Sequence, residues 1–164
     1  MKVYGTNEIK NIALIGSKGS GKTTLAEAML FECGVIKRRG TIDSGNTVCD
    51  YFPVEKEYGY SVFSTVCYAE FLNKKLNVID CPGGDDFVGS AITALNVTDT
   101  GVLLIDAQYG VEVGSQNIFR VTEKIKKPVI FAVNQLDDDK VDFDNVINQM
   151  KEVFGNKVVL VQYP

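Results

Sequence analysis

The chain has 164 residues, 45% of them hydrophobic and 23% charged, with a net charge of −4, four cysteines and no histidine. That size and balance fit one globular domain with its own core and exclude a disordered or low-complexity chain, while the acidic balance excludes a domain that coats nucleic acid over its whole surface. No apolar run approaches the roughly 18–20 residues that span a bilayer, and the start MKVYGTNEIK lacks the apolar core of a signal peptide, so a cytoplasmic domain without membrane contact is expected.

Apolar runs alternate with helical patterns along the chain, the signature of an α/β domain with a largely parallel sheet and helices on both faces. The first strand is expected over Ile9–Ile15. Leu25, Ala28 and Met29 recur at helical spacing and predict a helix from Lys22 to about Glu32, with Gly34 as its stop. The stretch Lys37–Tyr60 holds three glycines, a proline and mixed charges without periodicity, and reads as a long mobile loop, disordered without a ligand. Lys37, Arg38 and Arg39 within it, like Lys124, Lys126 and Lys127 further on, read as solvated surface charge. Val62–Phe71, a turn at Leu72–Lys75 and Leu76–Asp80 form an antiparallel hairpin at one sheet edge. After Pro82-Gly83-Gly84 come a helix near Val88–Asn96, a strand Val102–Asp106, a helix Ser115–Ile125, a strand Val129–Asn134, a helix from about Phe143 to Val153, and a final strand Val158–Gln162. Cys33, Cys49, Cys67 and Cys81 fit no metal or redox spacing and read as small hydrophobes.

Three of the turns that follow strands carry chemistry. Gly16-Ser17-Lys18-Gly19-Ser20-Gly21-Lys22-Thr23 matches G-x-x-x-x-G-K-[ST] between a strand and a helix, the context its mechanism needs. Backbone N–H groups of such a turn and the positive end of the helix wrap an anionic phosphate, and glycine permits the close approach. Lys22 is placed to reach the β- and γ-phosphates of a nucleotide and Thr23 to ligate Mg²⁺ through its hydroxyl, with Thr24 beside it in the binding set. Asp80 closes the apolar strand LNVID ahead of Pro82-Gly83, the place of the acid that holds Mg²⁺, usually through water; taken alone it also fits an aspartate capping a turn. Asn134-Gln135-Leu136-Asp137 ends another apolar strand at the carboxyl edge of the sheet. A carboxylate at Asp137 can accept from both the ring N–H and the amino group of guanine, a donor pair adenine does not offer, which favours GTP over ATP.

With these motifs in this order the chain resembles the translational GTPases, and among them elongation factor G and its bacterial elongation factor G-like relatives, over nearly all of its length. IKNIALIGSKGSGKTTLAEAML resembles the family's first strand, phosphate loop and helix; GTIDSGNTVCDYFPVEKEYGYSV its first switch region; DCPGGDDFVGSA its second switch; DAQYGVEVGSQ its DAxxGV segment; and NQLD its base-reading motif. The resemblance implies a P-loop NTPase fold, GTP or GDP as ligand, Mg²⁺ held by Thr23, Ser61 and Asp80, a γ-phosphate contact from the Gly83 backbone, the ribosome as partner and a monomeric state. Gln135 stands where the family has a lysine over the base, Ser17 and Gly19 where it often has histidine and aspartate, and Tyr58 where it has an arginine. Gly84 occupies the position of the histidine that orients the attacking water, and the chain has no other histidine, so no catalytic residue is assigned and hydrolysis is expected to be slow. The implied function is the GTP-binding domain of a bacterial elongation factor G-type translation factor, switching between GTP and GDP on the ribosome in translocation. The alternative is a GTP-dependent ribosome-binding switch with little or no hydrolysis. A small-molecule kinase using ATP fits the phosphate loop alone. Family architecture also implies that residues 1–164 stop before the last base-contacting loop and the RNA-contacting domains.

Overall fold

The structure, a computed structural model, describes residues 2–139 and 141–164. Five strands form one sheet in the order β2-β3-β1-β4-β5, with β1 at Ile9–Gly16, β2 at Thr65–Phe71, β3 at Lys74–Asp80, β4 at Thr100–Asp106 and β5 at Val129–Asn134. β1 pairs in parallel with β3 and β4, and β4 with β5, while β2 runs antiparallel to β3 at the edge. The hairpin turns in two residues, Leu72 and Asn73, both with positive φ (47° and 60°), the geometry whose twist matches the flanking strands. Lys74 and Lys75, expected in the turn, therefore pair with Phe71 and Glu70 instead.

Side chains alternate across the sheet, and both faces are covered. Ala13, Ile15, Leu103 and Ile105 point to one face, where α3 (Val88–Val97), α4 (Val113–Lys124) and α5 (Phe143–Phe154) bury Ala91, Leu95, Ile118, Phe119, Ile147 and Met150 against them. Leu14, Leu104 and Val78 point to the other, against Ala26 and Leu30 of α1 (Lys22–Glu32) and against Cys49 and Cys67. Burial on both faces explains why β1 and β4 are continuous apolar runs rather than alternating ones. The arrangement matches the expected α/β P-loop class, a largely parallel sheet with one antiparallel edge hairpin. No helix among the described residues is long and apolar enough to cross a membrane.

Three further expectations are corrected. The 37–60 stretch is not featureless. It contains a short helix, α2, at Pro53–Tyr58, with proline in the first turn and Gly59 at φ 68° behind it. Glu27 of α1, 1% exposed, accepts from the backbone N–H groups of Gly40 and Val48 and so ties the segment to the core. The strand expected from Val62 begins only at Thr65. The N–H groups of Val62 and Phe63 go to the Glu55 carboxylate, each at 3.0 Å, rather than to the sheet. Val158–Gln162 is not a strand. Val158 is buried against α5's side of the core, but Val159 and Val161 are exposed, and the Tyr163 ring lies edge-on to Phe143, so this apolar run follows α5 and does not join β5. Strand propensity is satisfied only where a sheet surface receives it.

Candidate functional site

All four parallel strands end on the same side of the sheet, at Gly16, Asp80, Asp106 and Asn134. β1 lies between β3 and β4, so the chain leaves it at the point where strand order reverses, which is where open α/β sheets form a crevice. A cleft of about 400 Å³ opens there, lined by Lys18, Gly19, Gly21, Lys22, Thr23, Thr24, Ile42, Gly59, Tyr60, Ser61, Gly83, Gly84, Asn134, Gln135 and Asp137. Of these, only Ile42, Gly59 and Tyr60 are not among the predicted site residues, and all three lie in the segment that resembles the first switch region.

The phosphate loop wraps the start of α1. Gly21 caps that helix at φ 92°, and a Cβ on it would fall 2.2 Å from the Asn134 side-chain nitrogen, so both its conformation and its neighbour require glycine. Lys22 is buried with its Nζ turned into the loop, donating to the carbonyls of Ser17 at 2.7 Å and Gly16 at 3.1 Å. Burial lowers its ammonium to about 8, opposed by the carboxylate of Asp80. An anion in the loop would restore what burial removes, because it supplies opposite charge at the same point. Gly16, Ser17 and Ser20 are not part of the cleft wall: the Ser20 hydroxyl donates to the Ser17 carbonyl at 2.9 Å, and the Ser17 hydroxyl meets Ser115 of α4 at 3.0 Å.

Beside the loop stands a cluster of oxygens. The Thr23 hydroxyl donates to Asp80 Oδ2 at 2.7 Å, and the Ser61 hydroxyl lies 3.1 Å from that of Thr23. Asp80 is 1% exposed and its other oxygen, Oδ1, has no hydrogen-bond partner. Burial pushes this carboxyl up to about 6 against the pull of Thr23 and Lys22. Asp50, also buried and absent from the sequence reading, adds two more oxygens without a partner at bonding geometry; burial raises it too, with Ser61 nearby pulling the other way. Buried carboxylate oxygens without partners are costly, and a divalent cation is the partner that suits them. Among the described residues no three His, Cys, Asp or Glu side chains form a metal cage, so such an ion would complete its shell from the two hydroxyls, water and a ligand's phosphate oxygens. The residues present fit Mg²⁺ on those terms.

The base-side motif is fastened to the phosphate loop. Asn134 Nδ2 donates to the Ser20 carbonyl at 2.9 Å, and Gln135 Nε2 to the Gly19 carbonyl at 2.8 Å and to Asp106 Oδ2 at 2.9 Å. Gln135 adopts φ 62°. Asp106 opens the DAQYGVEVGSQ segment set beside the family's, but the sequence assigns it no role in the site, although VLLID ends as LNVID does, with an aspartate closing an apolar strand. Asp137 is exposed on the cleft wall. The second-switch corner sits close to the loop: a Cβ on Gly83 would lie 2.3 Å from Lys22 Nζ and 2.8 Å from the Lys18 backbone nitrogen. Only glycine lets this strand end come so near. Gly84 lines the cleft but presents no side chain.

Comparison with known proteins agrees with this geometry. Residues 7–163 match the family described as the elongation factor Tu GTP binding domain. The chain is 36% identical over 160 residues to an elongation factor G-like protein of Thermotoga maritima, covering 98% of this chain and 23% of that protein. It is 32% identical over 163 residues to elongation factor G of Petrotoga mobilis, covering 99% of this chain and 24% of that one. A crystal structure of a protein from Thermus thermophilus superposes with a TM-score of 0.86 at 34% identity, over 90% of this chain and 22% of the other. The chain thus spans about a quarter of the length of the relatives it matches. A match over 7–163, together with the order of loop, acid and base motif around one cleft, means that the chain belongs to the elongation factor Tu GTP-binding-domain family of translational GTPases, alongside elongation factor G and its G-like relatives.

Proposed function

We propose that this cleft binds GTP and GDP with Mg²⁺ and acts as the nucleotide switch of an elongation factor G-type translation factor working on the ribosome in the cytoplasm. The observation that carries the reading is the buried oxygen of Asp80 without a partner, beside the paired hydroxyls of Thr23 and Ser61 and at the mouth of the phosphate loop. Thr23, Ser61 and Asp80 would hold Mg²⁺, Asp80 acting from behind Thr23. When bound, Mg²⁺ supplies neutralising charge between neighbouring phosphate groups. Lys22 exchanges its carbonyl partners for phosphate oxygens, and the backbone of Gly83 faces the same point. Asp137 selects guanine, with Asn134 and Gln135 keeping the base loop in register with the phosphate loop. Ser61 belongs to the segment that follows α2, so a terminal phosphate and its cation would order that segment through one hydroxyl, which is the logic of a phosphate-sensing switch. Translocation as the step served and a monomeric state follow from the relatives' kind and are part of the same proposal.

Gly84 favours a second reading of the reaction. With no side chain there and no histidine anywhere in the chain, no group orients a water as an imidazole would. The protein would then serve as a GTP-dependent ribosome-binding switch that hydrolyses little. Single-turnover hydrolysis with ribosomes separates the two: a rate equal to that of histidine-bearing relatives refutes the second. The nucleotide reading itself is tested by competition titration. GTP should displace a bound guanine probe at least about 100-fold better than ATP, and Asp137→Ala should erase most of that preference, because the guanine donor pair loses its acceptor. Equal displacement by ATP and GTP in the unaltered protein would overturn the reading.

A further inference from the structure

The cleft carries a second cation beyond the one its phosphate loop requires. Lys18 lies within the loop, yet its side chain leaves it, and Nζ stands 3.6 Å from the centroid of the Tyr60 ring. Lys18, Tyr60, Ser61, Gly83 and Gly84 all line the same cleft. At the Gly83 corner the Lys18 backbone and the Lys22 ammonium converge, both within 2.8 Å of the point a Cβ would occupy. Lys22 thus brings its buried ammonium to this corner and Lys18 its backbone, while the Lys18 ammonium stands over Tyr60 on the exposed side of the cleft. Among the described residues the one ion pair joins Lys157 and Glu123, so Lys18 has no carboxylate to neutralise it. Its charge rests on an aromatic face, a weaker partner than any anion, and it is free to exchange that partner or to share it.

We propose that Lys18, positioned by Tyr60, is a specificity-determining residue that contacts the terminal phosphate and makes the chain prefer a nucleoside triphosphate to a diphosphate. The inference rests on the reading of the cleft as a guanine-nucleotide site. A triphosphate differs from a diphosphate by one charged group, and that group must lie on the far side of Lys22 from the base, towards Gly83. Lys18 is the other lysine lining the cleft and its backbone already stands at the Gly83 corner, so its flexible side chain has only to leave the Tyr60 ring to reach that group, and charge-assisted hydrogen bonds to phosphate are among the stronger ones. Tyr60 immediately precedes Ser61, so a lysine bridging the phosphate and the ring would also hold the switch segment down. Gly84, on the same cleft wall, adds no competing side chain.

The test measures binding of GDP and of a non-hydrolysable GTP analogue, both with Mg²⁺, to the full chain and to Lys18→Met, Lys18→Arg and Tyr60→Leu. Lys18→Met should weaken the analogue by about tenfold and GDP by less than about twofold, the size expected for one charge-assisted contact. Lys18→Arg should stay near the parent, and Tyr60→Leu should weaken the analogue alone, by less than Lys18→Met does. GDP binding by each variant also reports that it is folded. An unchanged ratio of the two affinities in Lys18→Met, whether both hold or both fall together, overturns this inference and leaves the nucleotide reading standing. A parent chain that binds neither guanine nucleotide overturns the nucleotide reading and this inference with it.

Discussion

Gly84 is the residue whose replacement is most informative. Its backbone is extended, φ −73° and ψ 141°, a region open to every L residue, so glycine is not required there by conformation. A Cβ would meet Cδ2 of Phe87 at 3.1 Å, and that ring has only to give by a few tenths of an ångström. Gly84→His should therefore fold and place an imidazole on the cleft wall. If the missing side chain limits hydrolysis, single-turnover GTP cleavage on ribosomes should rise by about 10²-fold or more, the usual contribution of a positioned acid–base group, while GTP affinity stays within a few fold. An unchanged rate would locate the limitation elsewhere. Gly83, one residue earlier, makes the opposite case: any side chain there strikes the Lys22 ammonium and the Ser17–Lys18 backbone, so its replacement should damage binding itself.

At the scale of elements, α2 is held by one carboxylate. Glu55 is 1% exposed and accepts from the N–H groups of Phe52 at 3.3 Å and of Val62 and Phe63 at 3.0 Å, joining the start of the helix to the strand approach that carries Ser61. Glu55→Ala removes a charged acceptor from three backbone donors and should destabilise the protein by about 2–4 kcal/mol, since such bonds contribute roughly 1.5–3 kcal/mol each before water replaces part of the loss. Hydrogen exchange at Val62 and Phe63 should accelerate together; retained protection at both would show that the carboxylate is not what holds them. The same carboxylate explains what sequence reading could and could not reach. β1, β4, β5 and α1 were legible because their apolar spacing is local and their burial two-sided or stripe-like. α2 leaves a local trace, Pro53 at its start and Gly59 after its end, but mixed charges without periodicity obscure it. The late start of β2 left none, because periodicity does not reveal that two N–H groups turn to a glutamate seven and eight residues back. The site divides likewise. Gly16–Thr23, Asp80 and Asn134–Asp137 are contiguous motifs, each readable where it stands. Asp50 and the Lys18–Tyr60 contact exist only once the 37–60 segment folds back onto α1, and Asp106 acquires a role only by meeting Gln135 across two strands.

For the whole molecule, the layered core and the cleft meet at the strand ends. The two apolar clusters lie on opposite faces of β1 and β4, and the loops leaving β1, β3 and β5 form the cleft, so a ligand there grips both layers and should stabilise the fold globally. At one hundred times its dissociation constant a ligand contributes about 2.7 kcal/mol, and for a chain of this size each kcal/mol raises Tm by about 2–4 °C, so Mg²⁺ with GTP should raise it by roughly 5–10 °C while Mg²⁺ with ATP at the same concentration should not. Asp80 makes the sharper test. Without ligand it is a buried carboxylate with one oxygen unpartnered, and Asp80→Asn removes that charge at nearly constant volume while keeping an oxygen for Thr23. Removing that buried charge relieves its own desolvation, while Lys22 loses the carboxylate that opposes its burial, so the two effects offset and the ligand-free variant should melt within a few degrees of the parent. With Mg²⁺ and GTP the gap should widen sharply, because the variant lacks the carboxylate the cation needs and loses most of the ligand-induced rise. Melting curves of both proteins, each with and without Mg²⁺ and GTP, measure that widening directly; a variant that melts equally far below the parent in both conditions would mean that Asp80 serves the fold, and parallel curves with the full rise retained would mean that it has no part in holding the ion.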